Sequence, residues 1–471
     1  MNASLWTSAD IAAATGGTAS TLFTATGVTF DSREVGPGDL FIALTGEATD
    51  GHRFLPQAFA QGAAGAIVSQ PVEHPHVLVA DTTAALDALA RASRARTAAK
   101  IIGVTGSVGK TGTKEALFAA LDRGAPGAAH RSVKSYNNHT GVPLSLSRMP
   151  AATRFGVFEM GMNHAGELAQ LTQLVRPHVA IVTTIAPAHT AFFRDEAAIA
   201  DAKGEIFAGL EPGGVAIVPY DSPHRDRLIA AATPYAARIV TFGLDKGADV
   251  HAIEAMRTAA GGTFVTAVVG TRELSFTISQ PGAHWVSNSL ALLAAVDAVG
   301  GDLVAAGLAL ADLGGLAGRG ARFGVRVGNG ESRGEALVID ESYNANPSSM
   351  RATLAVLAAE PAARKIVVLG EMRELGERSD VYHAALVEPI LAAGVEAGIL
   401  VGEAIAPLAN ALEGQGNFVH VADAAAARAK LTEMLAPGDA VLIKGSNGVG
   451  LSAIVADLRS RIPETLRSGT L

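Results

Sequence analysis

An α/β fold in three domains is predicted by three features of this 471-residue sequence. From Lys100 onward, apolar runs of strand length alternate with longer stretches of helical pattern, the mark of parallel strands buried on both faces. A Gly-rich segment over 313–330 interrupts that alternation like a linker, after which it resumes. The chain also exceeds what one hydrophobic core can organise. Hydrophobic residues make up 49% and charged residues 17%, which suits large buried cores rather than disorder.

The first domain, 1–97, carries two strand signals, GDLFIAL (38–44) and HVLVA (76–80), and closes with the helical stretch TTAALDALARASRART. The second, 98–318, alternates KIIGVTG, TKEALFAALDRG, FGVFEMG, AGELAQLTQLV, HVAIVTTI, AAIADAKGEIFAGL and GVAIVPY. Its mainly parallel sheet gives way to a β-rich piece, GGTFVTAVVGTRELSFTI, and then to the helix VSNSLALLAAVDAVG. The third, 319–471, repeats strand and helix from ALVIDES to AVLIKGS, a Rossmann-like doubly wound pattern.

Composition excludes several function classes. The net charge of −8, with no Lys/Arg cluster, argues against nucleic-acid binding. An anionic substrate would need local cations and backbone N–H groups. With no cysteine, disulfide and thiolate chemistry are excluded. The apolar stretch SLALLAAVDAVGGDLVAAGLALADL is broken by Asp297 and Asp302, so no membrane insertion is expected. The N-terminus lacks a basic region followed by an apolar core, so the expected location is cytoplasmic.

The chemistry starts at TGSVGKTGTKE, between the strand KIIGV and a helix. The usual phosphate loop has four residues between Gly and Gly-Lys-Ser/Thr. Here Gly106 and Gly109 are separated only by Ser107 and Val108, before Lys110 and Thr111. The strand–loop–helix context still places backbone N–H groups at a helix start, where anions bind. Lys110 is expected on the outer phosphates and Thr111 on Mg²⁺. Glu159 and His189 fall just past the carboxyl ends of candidate strands, where α/β sheets bind ligands. Taken singly, either reads as a surface or capping residue, and Mg²⁺ prefers oxygen to a histidine nitrogen.

The compact loop, with KSYNNHTGVPLSL, FEMGMNHAGE, TTIAPAHT, AKGEIF, HWVSNSLALLAAV, DESYNANPSSM, VLGEMRELG and IKGSNG, resembles the Mur ligase family over nearly the whole chain. FDSREVGPGDLFIALTGEATDGHRF (30–54) resembles the uridine-nucleotide-binding segment of that family. The resemblance implies a small uridine-nucleotide-binding domain, a central P-loop ATPase and a C-terminal Rossmann-like domain. It implies an ATP- and Mg²⁺-dependent amide ligase working through an acyl phosphate in peptidoglycan precursor synthesis, and a monomer. The branch most resembled takes UDP-N-acetylmuramoyl-tripeptide and D-alanyl-D-alanine. GEMRELGERS and the lack of an Asp-Asn-Pro-Arg tetrad favour that branch over the one adding a third, diamino acid residue.

By the same resemblance, Glu159, Thr111, His189 and a carbamylated Lys203 hold metal. Without it Lys203 reads as a solvent-facing helix lysine. Asn288 is implied at the adenine, Asp340 at the ribose, and Tyr343, Asn344 and Asn346 on the far wall of the nucleotide site. Without the family, YNANP reads as a turn before a helix start at Pro347. Arg319 or its neighbour Arg322 is implied near the γ-phosphate. Ser32, Arg33, Asp50 and His52 are implied at the uridine diphosphate, and Asn137, Asn138 and Thr140 at the muramoyl nucleotide. Lys444 and Ser446 are implied on the acceptor side, where NGVGLS departs from the family pattern. Gly112 stands where many relatives carry a second Thr. Competing readings are a sibling ligase, including the folate-polyglutamate type, and a nucleotide-binding module whose catalysis has lapsed.

Overall fold

A computed structural model describes residues 4–462 apart from 47–48, 189, 260 and 329–333. Three large sheets follow one another along the chain, with a two-stranded ribbon, Trp6–Thr7 with Thr24–Ala25, beside the first.

The first sheet has five strands in the order Thr18–Ala19, His76–Leu78, Gly65–Val68, Asp39–Ile42, Gly27–Thr29. All pair in parallel except Thr18–Ala19, which runs antiparallel to His76–Leu78. Both expected strands are present. Gly65–Val68 and the short strands near the start are additions, because GAIV and two-residue pairings carry too little pattern to be read. The closing helix, Thr82–Ala95, is capped by Asp81, whose side chain accepts from the N–H groups of Thr83 and Ala84. It belongs to two bodies at once. Leu86 and Leu89 pack into the first core, while Arg94 donates to the carbonyls of Val175 and Arg176 in the second.

The second sheet has nine strands. In order they are Arg272–Ile278, Thr263–Val269, Val250–Arg257, Arg238–Gly243, Val215–Pro219, Val179–Val182, Lys100–Thr105, Phe155–Glu159 and Ala129–Arg131. Ala129–Arg131 through Val250–Arg257 are parallel, and the β-rich piece adds two antiparallel strands at the edge. Alternation along Lys100–Thr105 sends Ile102 and Val104 to one core and Ile101 to the other, as a strand covered on both faces requires. The long apolar stretch is two helices, Ala283–Ala298 and Leu303–Ala311. Asp302 is the N-cap of the second, and Asp297 ion-pairs with Arg272.

The third sheet runs Ala321–Val327, Gly334–Glu341, Asp439–Lys444, Arg364–Gly370, Val395–Val401, Asn417–Val421. Only the first pair is antiparallel. Helices Pro347–Ala358 and Val387–Ala392 cover one face, and Ala424–Met434 and Ser452–Ser460 the other, a doubly wound arrangement. The linker expectation over 313–330 needs correction, since Ala321–Val327 is a strand. Val325 and Val327 are buried while Gly324 and Arg326 are exposed, an alternation obscured by glycines on either side. Among the described residues, no helix is long and apolar enough to cross a membrane.

Candidate functional site

The loop after Lys100–Thr105 bends through two glycines that no other residue would suit. Gly106 has φ +149°, and a Cβ there would lie 1.9 Å from Thr183 Oγ1. Gly109, the N-cap of helix Lys110–Gly124, has φ +88° and brings its backbone against the Asn288 amide. The helix begins at Lys110, not at Thr113 as the sequence pattern suggests, so Lys110 and Thr111 sit in its first turn. Lys110 Nζ donates to Gly106 O at 2.6 Å, and Ser107 Oγ donates to Ala186 O at 2.9 Å. A Cβ at Gly112 would stand 3.1 Å from the Trp285 ring, so the glycine leaves room for that indole.

Glu159 ends the neighbouring strand and is 1% exposed. Its Oε2 accepts from Thr111 Oγ1 at 2.9 Å and its Oε1 from Asn137 Nδ2 at 2.7 Å. Lys203, in the last turn of helix Glu196–Gly204, is not solvent-facing. It is 1% exposed, in a helix that packs on Arg225–Ala232 and sends Ile199, Ala200 and Ala202 into the second core. Burial, and then repulsion from Lys110, push its ammonium well below the ordinary lysine value. Among the described residues it has no ion-pair partner.

Across from this loop stand the carboxyl ends of two adjacent parallel strands of the third sheet, where Glu341 and Lys444 are paired in register. Lys444 Nζ donates to Asn344 O at 2.9 Å and lies 3.6 Å from Glu341 Oε2. Burial lowers the Lys444 pKa and raises that of Glu341. Arg319 stacks over the Tyr343 ring at 3.9 Å and donates to Ser135 Oγ at 3.0 Å, bridging the two halves. One cavity between the second and third sheets is lined by Ser107, Gly109, Lys110, Thr111, Asn137, Glu159, Lys203, Asn288, Arg319, Tyr343, Asn344, Asn346 and Lys444.

Other expected residues lie elsewhere. Asp340 is not among the residues that line the cavity. Its Oδ2 accepts from Gly318 N at 2.7 Å and its Oδ1 from Ser342, so both oxygens brace the turn after the strand. Arg322 ion-pairs with Glu360 at 2.5 Å and is absent from the cavity lining, which leaves Arg319 as the arginine beside the loop. Asn138 Oδ1 accepts from Thr140 and from Gly141 N, so that pair shapes the entry to helix Gly141–Ser147. Asn346 caps helix Pro347–Ala358 while its residue lines the cavity, so the turn reading and the site reading coexist. Ser446 Oγ accepts from Arg373 N at 2.9 Å. His189 lies outside the described residues.

In the first domain, Ser32 Oγ donates to Gln57 Oε1, and Arg33 forms a two-pronged pair with Asp31 in solvent. Asp50 Oδ1 lies 2.6 Å from His52 Nδ1, and His52 Nε2 accepts from Ser69 N. These four do not line the cavity. Close to them in the chain, Glu34 ion-pairs with Lys134 and accepts from Tyr136 OH of the second domain.

Sequence reasoning passed over Ser135, His284, Trp285 and Glu341, all of which line the cavity. Two signals were available. His284 and Asn288 are four apart on a helix and so share a face. Asp340 and Glu341 are successive strand residues, so only one of them can face the site.

Comparison with known proteins adds the family. The model described as Mur ligase middle domain matches residues 104–296, that of the Mur ligase glutamate ligase domain 322–447, and that of the Mur ligase family catalytic domain 24–100. The chain is 34% identical over 436 residues to the UDP-N-acetylmuramoyl-tripeptide–D-alanyl-D-alanine ligase of Escherichia coli, covering 92% of this chain and 93% of that one. A crystal structure of MurF from Acinetobacter baumannii superposes with a TM-score of 0.81 at 31% identity, over 97% of this chain and 99% of that one. A MurF ligase from Thermotoga maritima in complex with ADP shares the fold, with a TM-score of 0.74 at 24% identity over 92% and 97% of the two chains.

Proposed function

The chain belongs to the Mur ligase family, and from that premise we propose that it joins D-alanyl-D-alanine to UDP-N-acetylmuramoyl-tripeptide in the making of a peptidoglycan precursor. Mur ligases form a C–N bond at the expense of ATP. The observation that carries the reading is the single cavity in which the phosphate loop, Glu159 and Lys203 face Arg319, Tyr343 and Lys444 from the next domain.

The terminal carboxylate of the tripeptide attacks the γ-phosphorus, an O–P bond forms, and ADP leaves with the electrons of the broken P–O bond. The amine of D-alanyl-D-alanine then attacks the acyl carbon, a C–N bond forms as the acyl C–O bond breaks, phosphate leaves with its electrons, and the nitrogen gives up a proton to solvent or to the departing phosphate. Both steps bring anions together, so the protein must neutralise charge. Lys110 and the N–H groups at the start of its helix hold the outer phosphates, with Arg319 at the γ-phosphate. Asn288 meets the adenine, and Tyr343, Asn344 and Asn346 wall the nucleotide. Lys444 serves the acceptor side. Ser32, Arg33, Asp50 and His52 place the uridine diphosphate, with Asn137, Asn138 and Thr140 at the muramoyl end. Asp340 supports the turn of the nucleotide wall, and Glu341 beside it is the carboxylate open to the ligand.

The residues fit Mg²⁺. Thr111 and Glu159 offer two oxygens 2.9 Å apart at the cavity edge. Lys203 is a buried amine beside Lys110 with no anion among the described residues to match it. Carbamylation by CO₂ would replace that cation with an oxygen ligand. His189 completes the proposed set. When bound, the metal neutralises phosphate charge. Domains spanning 1–97, 98–318 and 319–471 close around the ligands and exclude water from the acyl phosphate. Contacts of Thr190 and Ala191 with Leu375 and Glu374 already join the last two. We place the enzyme in the cytoplasm, as a monomer.

The test is phosphate release from ATP and Mg²⁺. One tube holds UDP-N-acetylmuramoyl-tripeptide with D-alanyl-D-alanine, the other UDP-N-acetylmuramoyl-dipeptide with diaminopimelate or lysine. Release in the first alone, with pentapeptide seen by mass, is expected. Release in the second alone moves the enzyme one step earlier, and silence in both with ATP still bound revives a binding module.

A further inference from the structure

Lys114 is a buried cation that the proposed reaction leaves unused. It follows Lys110 by one turn on helix Lys110–Gly124 and is 0% exposed. A buried ammonium needs its donors satisfied. Lys114 Nζ donates to Ser132 O at 3.0 Å and to Lys134 O at 2.5 Å, and lies 2.8 Å from Glu115 Oε1. Glu115 Oε2 in turn holds Arg131 at 2.7 Å. The backbone of 131–134 is thereby clamped to the helix that carries the phosphate loop. Within the clamp, Lys134 has φ +54°, a left-handed conformation that a residue with a Cβ keeps only when its surroundings impose it.

The segment 132–137, which runs on from the clamped residues, touches what the site depends on. Ser132 Oγ accepts from Glu159 N at 3.1 Å, and Asn137 Nδ2 donates to Glu159 Oε1. Ser135 Oγ lies 3.3 Å from Thr111 Oγ1 and accepts from Arg319 of the third domain. Lys134 and Tyr136 reach Glu34 of the first. We infer that Lys114 is a positioning residue, which acts through the segment 132–137 to hold Thr111 and Glu159 in the geometry that Mg²⁺ requires and to register the first domain against it. The inference rests on the reading of the site given above.

The test replaces the ammonium by a chain of similar length, Lys114→Met. Calorimetric titrations with ADP are run with and without Mg²⁺, beside steady-state assays over a range of Mg²⁺ and of UDP-N-acetylmuramoyl-tripeptide. The expected result is a loss of about tenfold in apparent Mg²⁺ affinity, the size seen when groups behind metal ligands are removed. The KM for the uridine nucleotide should rise with it, while ADP binding without metal is unchanged. A lysine of merely structural importance would lower the melting temperature and leave the metal dependence of the folded enzyme as it was, and that outcome overturns the inference. Should Lys114→Met not fold, Glu115→Gln removes the countercharge alone. A smaller shift of the same sign supports the inference, and an unchanged metal dependence overturns it. The calorimetric arm decides the matter even if the wild-type enzyme releases no phosphate, a result that would instead sink the proposed reaction.

Discussion

Adding one methyl group to the phosphate loop should cost more at Gly106 than anywhere else in it. A Cβ at Gly106 would stand 1.9 Å from Thr183 Oγ1, which is itself held by donation to Val108 O at 2.6 Å and is 1% exposed. The clash cannot be relieved by swinging a loose side-chain end. Overpacking of this kind costs about 1–3 kcal/mol, and the backbone at φ +149° adds about 1–3 kcal/mol of strain for alanine. If the loop escapes by leaving its anion-binding conformation, at least about 2 kcal/mol appears as lost nucleotide affinity, or about 30-fold. Gly109→Ala meets the turnable Asn288 amide at 3.0 Å and carries mainly the left-handed penalty, about 1–2 kcal/mol. Gly213, at φ +83° with nothing within 4 Å, is the control: it shares the left-handed backbone and does not line the cavity. ADP titration calorimetry with thermal melts separates the three. Binding by Gly106→Ala close to wild type, or equal weakening by Gly213→Ala, would refute the claim that the loop geometry itself holds the phosphates.

Lys203→Met should abolish ligase activity yet raise the melting temperature at pH 7 in metal-free, CO₂-free buffer, because it removes a buried amine whose pKa lies well below 10.5. Between its lowered folded-state pKa and 10.5 the unfolded wild-type chain binds more protons at this residue, so in that window wild-type stability should climb with pH where the variant's does not; a lower melting temperature for the variant at pH 7 would contradict this. Burial holds His130 and His284 at a pKa of about 4, against 6.5 when unfolded. Stability should therefore fall as pH drops from 6.5 to 4, by up to about 3 kcal/mol per histidine and less where solvent reaches the ring. His130→Gln, which keeps a donor for Ser145 O, should flatten that slope in urea titrations. Arg94→Met loses two carbonyl contacts and its pair with Glu211, which Arg176 still holds at 2.7 Å. A cost of about 2–3 kcal/mol is expected in denaturant unfolding, and a cost near zero would show that helix Thr82–Ala95 needs no such tie.

What could be read beforehand was whatever the backbone dictates locally. Val179–Val182 and Val215–Pro219 are buried along their whole length, and a strand covered on both sides must be apolar throughout. The loop glycines were legible because a strand–loop–helix junction that holds phosphate needs positive φ. The strand Ala321–Val327 was hidden because glycines flank a half-buried alternation and weigh as breakers. Lys203 was illegible for a different reason. Its burial comes from the packing of its helix on Arg225–Ala232, further along the chain, and no residue near it in sequence signals that. Asp340 and Glu341 show the finest limit. The motif names both carboxylates, and only the phase of the strand decides that Glu341 lines the cavity while Asp340 ties down the Gly318 turn.

That phase also bears on charge. The chain carries −8 overall, yet the cavity brings Lys110, Lys203, Arg319 and Lys444 together against Glu159 and Glu341. An acidic protein thus presents a cationic interior to anionic substrates. Every one of those cations is confined by a specific contact or by burial rather than spread over the surface. Long-range attraction therefore contributes little, and salt should weaken substrate capture only modestly, because charges inside a low-dielectric cleft are screened less than exposed ones. A steep fall of kcat/KM with ionic strength would mean that a cationic surface outside the cavity guides the nucleotides in.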